Sequence, residues 1–335
     1  MKLDTTKVKV VLAQNGVLAA LIVLIAIFTI INPRFLSIGN GVTVLSQIVE
    51  LGLIALPVAF VVMMGCADLS VGAIASCGAV VAGLVMTSTG NALLGLAAGI
   101  AFGVIAGAIN GFLVAYLNLN TFVVTLGFLS VWGGLALLLT GGATITGLPK
   151  AFTAFGTFAI AGIPIQIIIL VLATALAWYI LNRTSKGKQI LAIGGNSRAA
   201  HLMGVRVRRT RLGVFVVTGV LSAIAGMMLA AKLTAVSPTV GQGMELSALT
   251  VVLLGGVAFE GGVGRISGVI SGLLFFGVLK NGLVIAGVSA FVQTVLIGLT
   301  LVLAVALDRS IQQAVRRAWR ARTVQERAEE PVPQA

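Results

Sequence analysis

The chain has 335 residues, 59% of them hydrophobic and 9% charged, with a formal net charge of +13. A soluble domain carries roughly 25% charged residues, so this composition excludes a water-exposed globule and leaves the bilayer as solvent for most of the surface. Forty-two glycines in so apolar a chain predict a compact bundle, because small residues let helix backbones approach closely.

Apolar stretches of about 20 residues read as membrane spans. The first, 11–31, follows Lys2, Lys7 and Lys9 as the core of a signal peptide would. It is too long for that role and ends in Asn32-Pro33-Arg34 without a small-residue cleavage site, so it reads as a first helix. Further helices are expected at 43–64, 69–88, 92–117, 121–140, 164–182, 212–231, 245–259, 266–286 and 290–307, ten in all. The expected fold class is therefore an all-α polytopic membrane protein. A single transmembrane domain fills 1–310 and a basic-then-acidic tail, 311–335, frays into disorder.

An even number of spans puts both termini on one side, and Lys and Arg are retained in the cytoplasm. With the N-terminus inside, eighteen of the 22 basic residues fall on the cytoplasmic side, leaving Arg34, Lys150, Lys232 and Lys280 outside. The positive charge is thus a topology signal, and nucleic acid is not expected as a partner. The extracytoplasmic segment 141–164, with Phe152, Phe155 and Phe158 spaced by threes, reads as a re-entrant cap or a platform for a partner. Cys66 and Cys77 lie in apolar stretches and read as small core residues.

Two spans are interrupted in corresponding positions. Val61-Val62-Met63-Met64-Gly65 leads into Cys66-Ala67-Asp68-Leu69-Ser70-Val71-Gly72, and Val251-Val252-Leu253-Leu254-Gly255 leads into Gly256 and the stretch Glu260-Gly261-Gly262-Val263-Gly264-Arg265. A second echo pairs Asn110-Gly111 with Asn281-Gly282, so an internal duplication is expected. Backbone that leaves helical geometry at membrane depth must line a cavity or a protein interface, which marks such paired breaks as a transporter's working centre. Asp68 either takes part in gating or caps the following helix. Glu260 reads as a residue of the cytoplasmic boundary near Arg265, and Glu50 either lines a pore or reaches out to the interface.

The loop 183–211 is far longer than a helix connection needs. Within 194–205 a short helix is expected, capped by Asn196 and ended by Gly204, with Ala199, Leu202 and Met203 on one face and Arg198 and His201 on another. Two turns are too few to be stable alone, so this helix needs a partner, or else the membrane surface or its own bundle to pack against. There is no phosphate-binding G-x-x-x-x-G-K-[ST] loop, no H-E-x-x-H and no second histidine beside His201. No metal site, bound cofactor or ATPase site of the chain's own is therefore expected.

Three pieces, Asp68-Leu69-Ser70-Val71-Gly72, Ala192-Ile193-Gly194-Gly195-Asn196 with Ala199-Ala200 and Gly204, and Leu254-Gly255-Gly256 with Gly261-Gly262, stand in an order that resembles the permease subunits of bacterial ATP-binding-cassette importers for ribose, arabinose and xylose. The resemblance runs from about Asn32 to Asp308; Cys66, Ala67 and Glu260 depart from the family's usual residues. It implies an inner-membrane permease that pairs with a second copy or a close paralogue, is driven by a cytoplasmic ABC ATPase that consumes the ATP, and is supplied by a periplasmic binding protein. The stretch Gly195, Asn196, Arg198, Ala199, Ala200, Leu202, Met203 and Gly204 would then couple to the ATPase. Asp68, Ser70, Gly72, Gly255 and Gly256, with the uncharged polar residues Gln47, Asn110, Asn120 and Gln293, would serve the gate or the path of a monosaccharide or related polyhydroxy solute. The alternative is a secondary transporter of a small polar solute driven by an ion gradient.

Overall fold

The structure, a computed structural model, describes residues 5–303. Helix α1 (Thr5–Ile31) leads through a 3-10 turn (Pro33–Leu36) to α2 (Ile38–Gln47) and α3 (Val49–Met63). Then come α4 (Val71–Thr89), α5 (Ala92–Ala115), α6 (Thr121–Thr140) and α7 (Lys150–Thr157), followed by a small antiparallel hairpin of β1 (Ala159–Ile160) and β2 (Ile163–Pro164). The second half comprises α8 (Ile165–Arg183), α9 (Ser185–Gly195), α10 (Ser197–Leu202), α11 (Val207–Leu233), α12 (Met244–Leu254), α13 (Ile266–Ile285) and α14 (Ala290–Leu303).

Local chemistry sets many of these boundaries. Asn91 and Asn120 accept the first backbone N–H groups of α5 and α6, while α4 and α6 stop at the left-handed Gly90 and Gly141. Among the described residues six helices, α4, α5, α6, α8, α11 and α13, are long and apolar enough to cross a membrane. The expected span 43–64 is instead a pair, α2 and α3, bent by 49° at Ile48, and counts as a seventh candidate if taken as one. The chain is thus an all-α polytopic membrane protein. The tail 311–335 and the basic residues from Arg309 onward lie outside the described residues.

Burial separates a central group of helices from a peripheral, more exposed one. Every residue of α3 is buried, as expected of a helix apolar all round. The spans of α4 and α11 are 72% and 61% buried, against 22% for α6 and 28% for α8. Glycine makes the centre tight: Gly95, Gly99, Gly103, Gly107 and Gly111 recur every fourth residue on α5. A Cβ at Gly103 would lie 2.7 Å from the Gly219 carbonyl of α11, and one at Gly99 would lie 2.9 Å from the Gly78 carbonyl of α4. Backbones this close leave no room for a larger residue.

After α11 the chain turns back into the bundle. Val236 packs against Gly83 of α4, and Gly241 donates its N–H to Ser76 Oγ at 2.8 Å and lies beside Gly72. It has thereby retraced α4 from Gly83 to Gly72, about 16 Å at 1.5 Å per residue. Helix α12 consequently starts deep in the bundle and has only 11 residues. The expectation of a helix over 245–259 is corrected here, because Gly255 and the left-handed Gly256 end it at Leu254. In the segment 141–164, α7 caps the end of α11, with Gly156 against the Ala231 backbone and Phe152 buried, while Phe158 is exposed.

Candidate translocation path and coupling surface

The long basic loop folds into two helices rather than one. Thr184 caps α9, which the sequence did not announce, and Gly194 and Gly195 form its last turn. Asn196 ends α9 and begins α10, its Oδ1 accepting from the N–H groups of Arg198 at 3.1 Å and Ala199 at 3.0 Å. The chain leaves α10 through Gly204 at φ 84°, a conformation that favours glycine. Ala200 turns inward and is buried. Ala199 and His201 are exposed, and Leu202 and Met203 are 80% and 85% exposed among the exposed Arg198, Arg206, Arg208 and Arg209. A capped helix thus holds two large apolar side chains well out from the bundle.

At the first break, Asp68 does not cap α4 itself. Ser70 occupies the N-cap position without a side-chain cap bond, and Asp68 Oδ1 accepts from Ser70 N–H at 3.0 Å and Ser70 Oγ at 2.6 Å. Ser70 Oγ in turn accepts from Asn110 Nδ2 of α5 at 2.7 Å. Asp68, Ser70 and Asn110 are all buried, so this chain of bonds ties the non-helical segment to α5. Cys66 and Cys77 are free, buried thiols, in keeping with their reading as core residues.

Gly72, in the first turn of α4, leaves the space that Glu245 and the Gly241 carbonyl occupy. Glu245 lies in the first turn of α12, where its Oε1 accepts from Gly243 N–H at 3.2 Å. The starts of two helices, each with a carboxylate close by, therefore meet at Gly72, an arrangement in which the positive helix ends face negative charge. Gly255 lets α12 approach α13, where its Cβ would lie 2.7 Å from the Gly268 carbonyl. Gly256 and Glu260 are exposed in the second break.

A narrow cleft opens beside α12, lined in part by Gln47, Leu51, Ser247, Phe276 and Lys280. Next to it Glu50 is buried and paired with Lys232 Nζ at 2.7 Å, and the same ammonium donates to the Ser46 carbonyl at 2.6 Å. Glu50 is thus held by Lys232 of α11 at the bend between α2 and α3. Asn120 and Gln293 make local bonds instead. Asn120 caps α6, and Gln293 donates to the Val288 carbonyl at 2.8 Å. Lys232, Glu245 and Lys280 were missed as centre residues, although each is a charge within or at the end of an apolar run, which is the signal that exposes such positions.

The family described as "Branched-chain amino acid transport system / permease component" matches residues 40–305, most of the chain. The chain belongs to this permease family. The ribose import permease RbsC of Bacillus subtilis is 40% identical over 302 residues, covering 89% of this chain and 94% of that protein. The L-arabinose transport system permease AraH of Escherichia coli is 36% identical over 303 residues, covering 90% and 92%. RbsC of Escherichia coli K12 is 35% identical over 305 residues, covering 90% and 95%. No solved structure matches. The permease is a multi-pass protein of the bacterial inner membrane.

Proposed function

We propose that this permease, as a dimer with a second copy or a close paralogue, forms the translocation pore of an ABC importer for a monosaccharide or related polyhydroxy solute. A cytoplasmic ATPase drives it and consumes the ATP, a periplasmic binding protein supplies the solute, and the chain binds no cofactor itself. Its helical stretches make ten spans with both termini in the cytoplasm. The observation that carries this reading is α10, a capped helix whose Leu202 and Met203 project from a basic loop. It supplies an apolar knob with a positive rim for a protein partner. The names of the relatives, which import ribose and arabinose, support the solute class.

The coupling surface comprises Gly195, Asn196, Arg198, Ala199, Leu202, Met203 and Gly204, with the buried Ala200 seating α10 on the bundle beneath it. The solute path runs along the cleft at Gln47, where Ser247 and Lys280 offer hydrogen bonds and Phe276 an apolar wall. Asp68, Ser70 and Asn110 act one step back, bracing the backbone beside the gate, while Gly72, Gly255 and Gly256 let the broken helices approach one another.

Proteoliposomes test this directly. Uptake of ribose or arabinose is expected only when the permease is reconstituted with its ATPase and binding protein; uptake by the permease alone, abolished by an uncoupler, identifies an ion-driven carrier instead. Leu202→Asp should strip the ATPase from the purified complex while leaving membrane insertion intact. It places a charge where an apolar contact is required, and truncations at such contacts cost about 2 kcal/mol or more, roughly thirtyfold in affinity. Unchanged co-purification would remove α10 from the interface.

A further inference from the structure

Three segments remote in sequence converge on one point: the end of α3, the last turn of α9 and the loop that follows α12. Gly262 donates its N–H to the Met63 carbonyl at 2.8 Å. Gly194 sits against both partners of that bond, so that a Cβ there would collide with the Met63 carbonyl and the Gly262 nitrogen. A Cβ on Gly261 would lie 2.6 Å from Gly65 N, and one on Gly262 would lie 2.9 Å from Gly195 N. Gly65, Gly261 and Gly262 have φ of 71°, 88° and 78°, a conformation open to glycine and strained for other residues. The three backbones therefore touch directly, with no side chain between them to yield.

We propose that this backbone junction is the transmission of the permease, with Gly194 and Gly262 as positioning residues that carry movement of α10 into both broken helices at once. The inference rests on the reading of α10 as the ATPase-docking helix and goes beyond it by naming where the stroke enters the bundle. Helix α10 follows α9 across the single residue Asn196, so displacing α10 displaces Gly194. Gly194 bears on the Met63 carbonyl at the end of α3 and on Gly262 beyond α12, and these two segments are bonded to each other. A flexible side chain at this point would absorb a small displacement by changing rotamer, whereas contacting backbones pass it on, because packed interiors deform little. The same stroke then reaches Asp68 along the segment after α3, and α12 along the loop before α13.

Hydrogen exchange on the assembled permease–ATPase complex tests this without any substitution. On addition of a non-hydrolysable ATP analogue, amides of 61–66 and 258–265 should change protection together with those of 190–205. A change confined to 190–205 overturns the proposal and leaves the docking reading standing; failure of the ATPase to assemble on the permease overturns both. Gly194→Ala gives a second readout. The ATPase should still co-purify and hydrolyse ATP, while solute moved per ATP falls about tenfold, within the usual range of coupling between sites. Gly213→Ala on α11, where a Cβ would meet nothing within 4 Å, should change neither. Unaltered transport per ATP in Gly194→Ala overturns the proposal, and if that variant fails to assemble, the exchange experiment on the unsubstituted complex decides.

Discussion

The arms α3 and α12 begin alike and end alike: each has a glutamate in its first turn, Glu50 or Glu245, and each ends in Val-Val-X-X-Gly before an acidic residue. Their surroundings differ. The first arm is fixed at both ends, with Glu50 paired to Lys232 and Asp68 bonded to Ser70, which is bonded to Asn110, all through buried carboxylates. The second arm starts with a half-buried Glu245 that accepts from the nearby Gly243 N–H, and its break is held by backbone contacts of Gly261 and Gly262 with Gly65, Met63 and Gly194. One local pattern thus serves as an arm tied by long-range side-chain bonds on one side and an arm held by close backbone contacts on the other. The difference lies in what the rest of the bundle supplies to each acid.

The largest effect that would sharpen this contrast is expected at Lys232. Lys232→Met leaves Glu50 buried without its cation, and removing one partner of a buried pair costs about 3–5 kcal/mol. Unfolding of the purified permease in detergent should show that loss, with Glu50→Gln added to Lys232→Met recovering much of it. Ser70→Ala comes next. It removes one donor from Asp68 and leaves Asn110 Nδ2 without its acceptor, a loss of about 2 kcal/mol by the same measurement. Glu245→Gln comes last: it keeps an acceptor for the Gly243 N–H and should cost less than Ser70→Ala, within about 1 kcal/mol. If Glu245→Gln destabilised the fold as much as Ser70→Ala, the two arms would depend equally on their acids and the contrast would fail.

Much of this architecture was legible from hydropathy. Each expected apolar stretch coincides with a helix or a bent pair of helices, because burying backbone in lipid requires internal hydrogen bonding whatever the neighbours are. The short helix between Asn196 and Gly204 was legible for a different reason: its cap and its stop are local, set by one side chain and one left-handed residue. The premature end of α12 was written in Gly255-Gly256 but read through, since the apolar run continues to Phe259. Helix α9 was hidden because its polar and glycine-rich residues lack a long apolar face, yet Gly187, Ile190 and Ile193 are buried against the bundle.

Among the residues expected to serve the path, the sequence could name polar groups in apolar surroundings but not sort them. Asn110 and Asn120 look alike in the chain. One is buried and bonded to Ser70 across 40 positions, whereas the other caps its own helix at the surface. Their difference depends on which helix lies opposite, and that is a long-range property.

By itself, then, the sequence determined that the chain spans a membrane, where most of its apolar helices form, and that two of them break at glycine beside an acid. Those outcomes follow from local hydrogen bonding and from the cost of polar groups in lipid. Only the tertiary structure decided that Glu50 finds Lys232, that Gly72 makes room for Glu245, and that Gly65, Gly194 and Gly262 meet at one junction. Such contacts join residues separated by many tens of positions, and their geometry is set by how closely glycine lets the helices and loops between them approach.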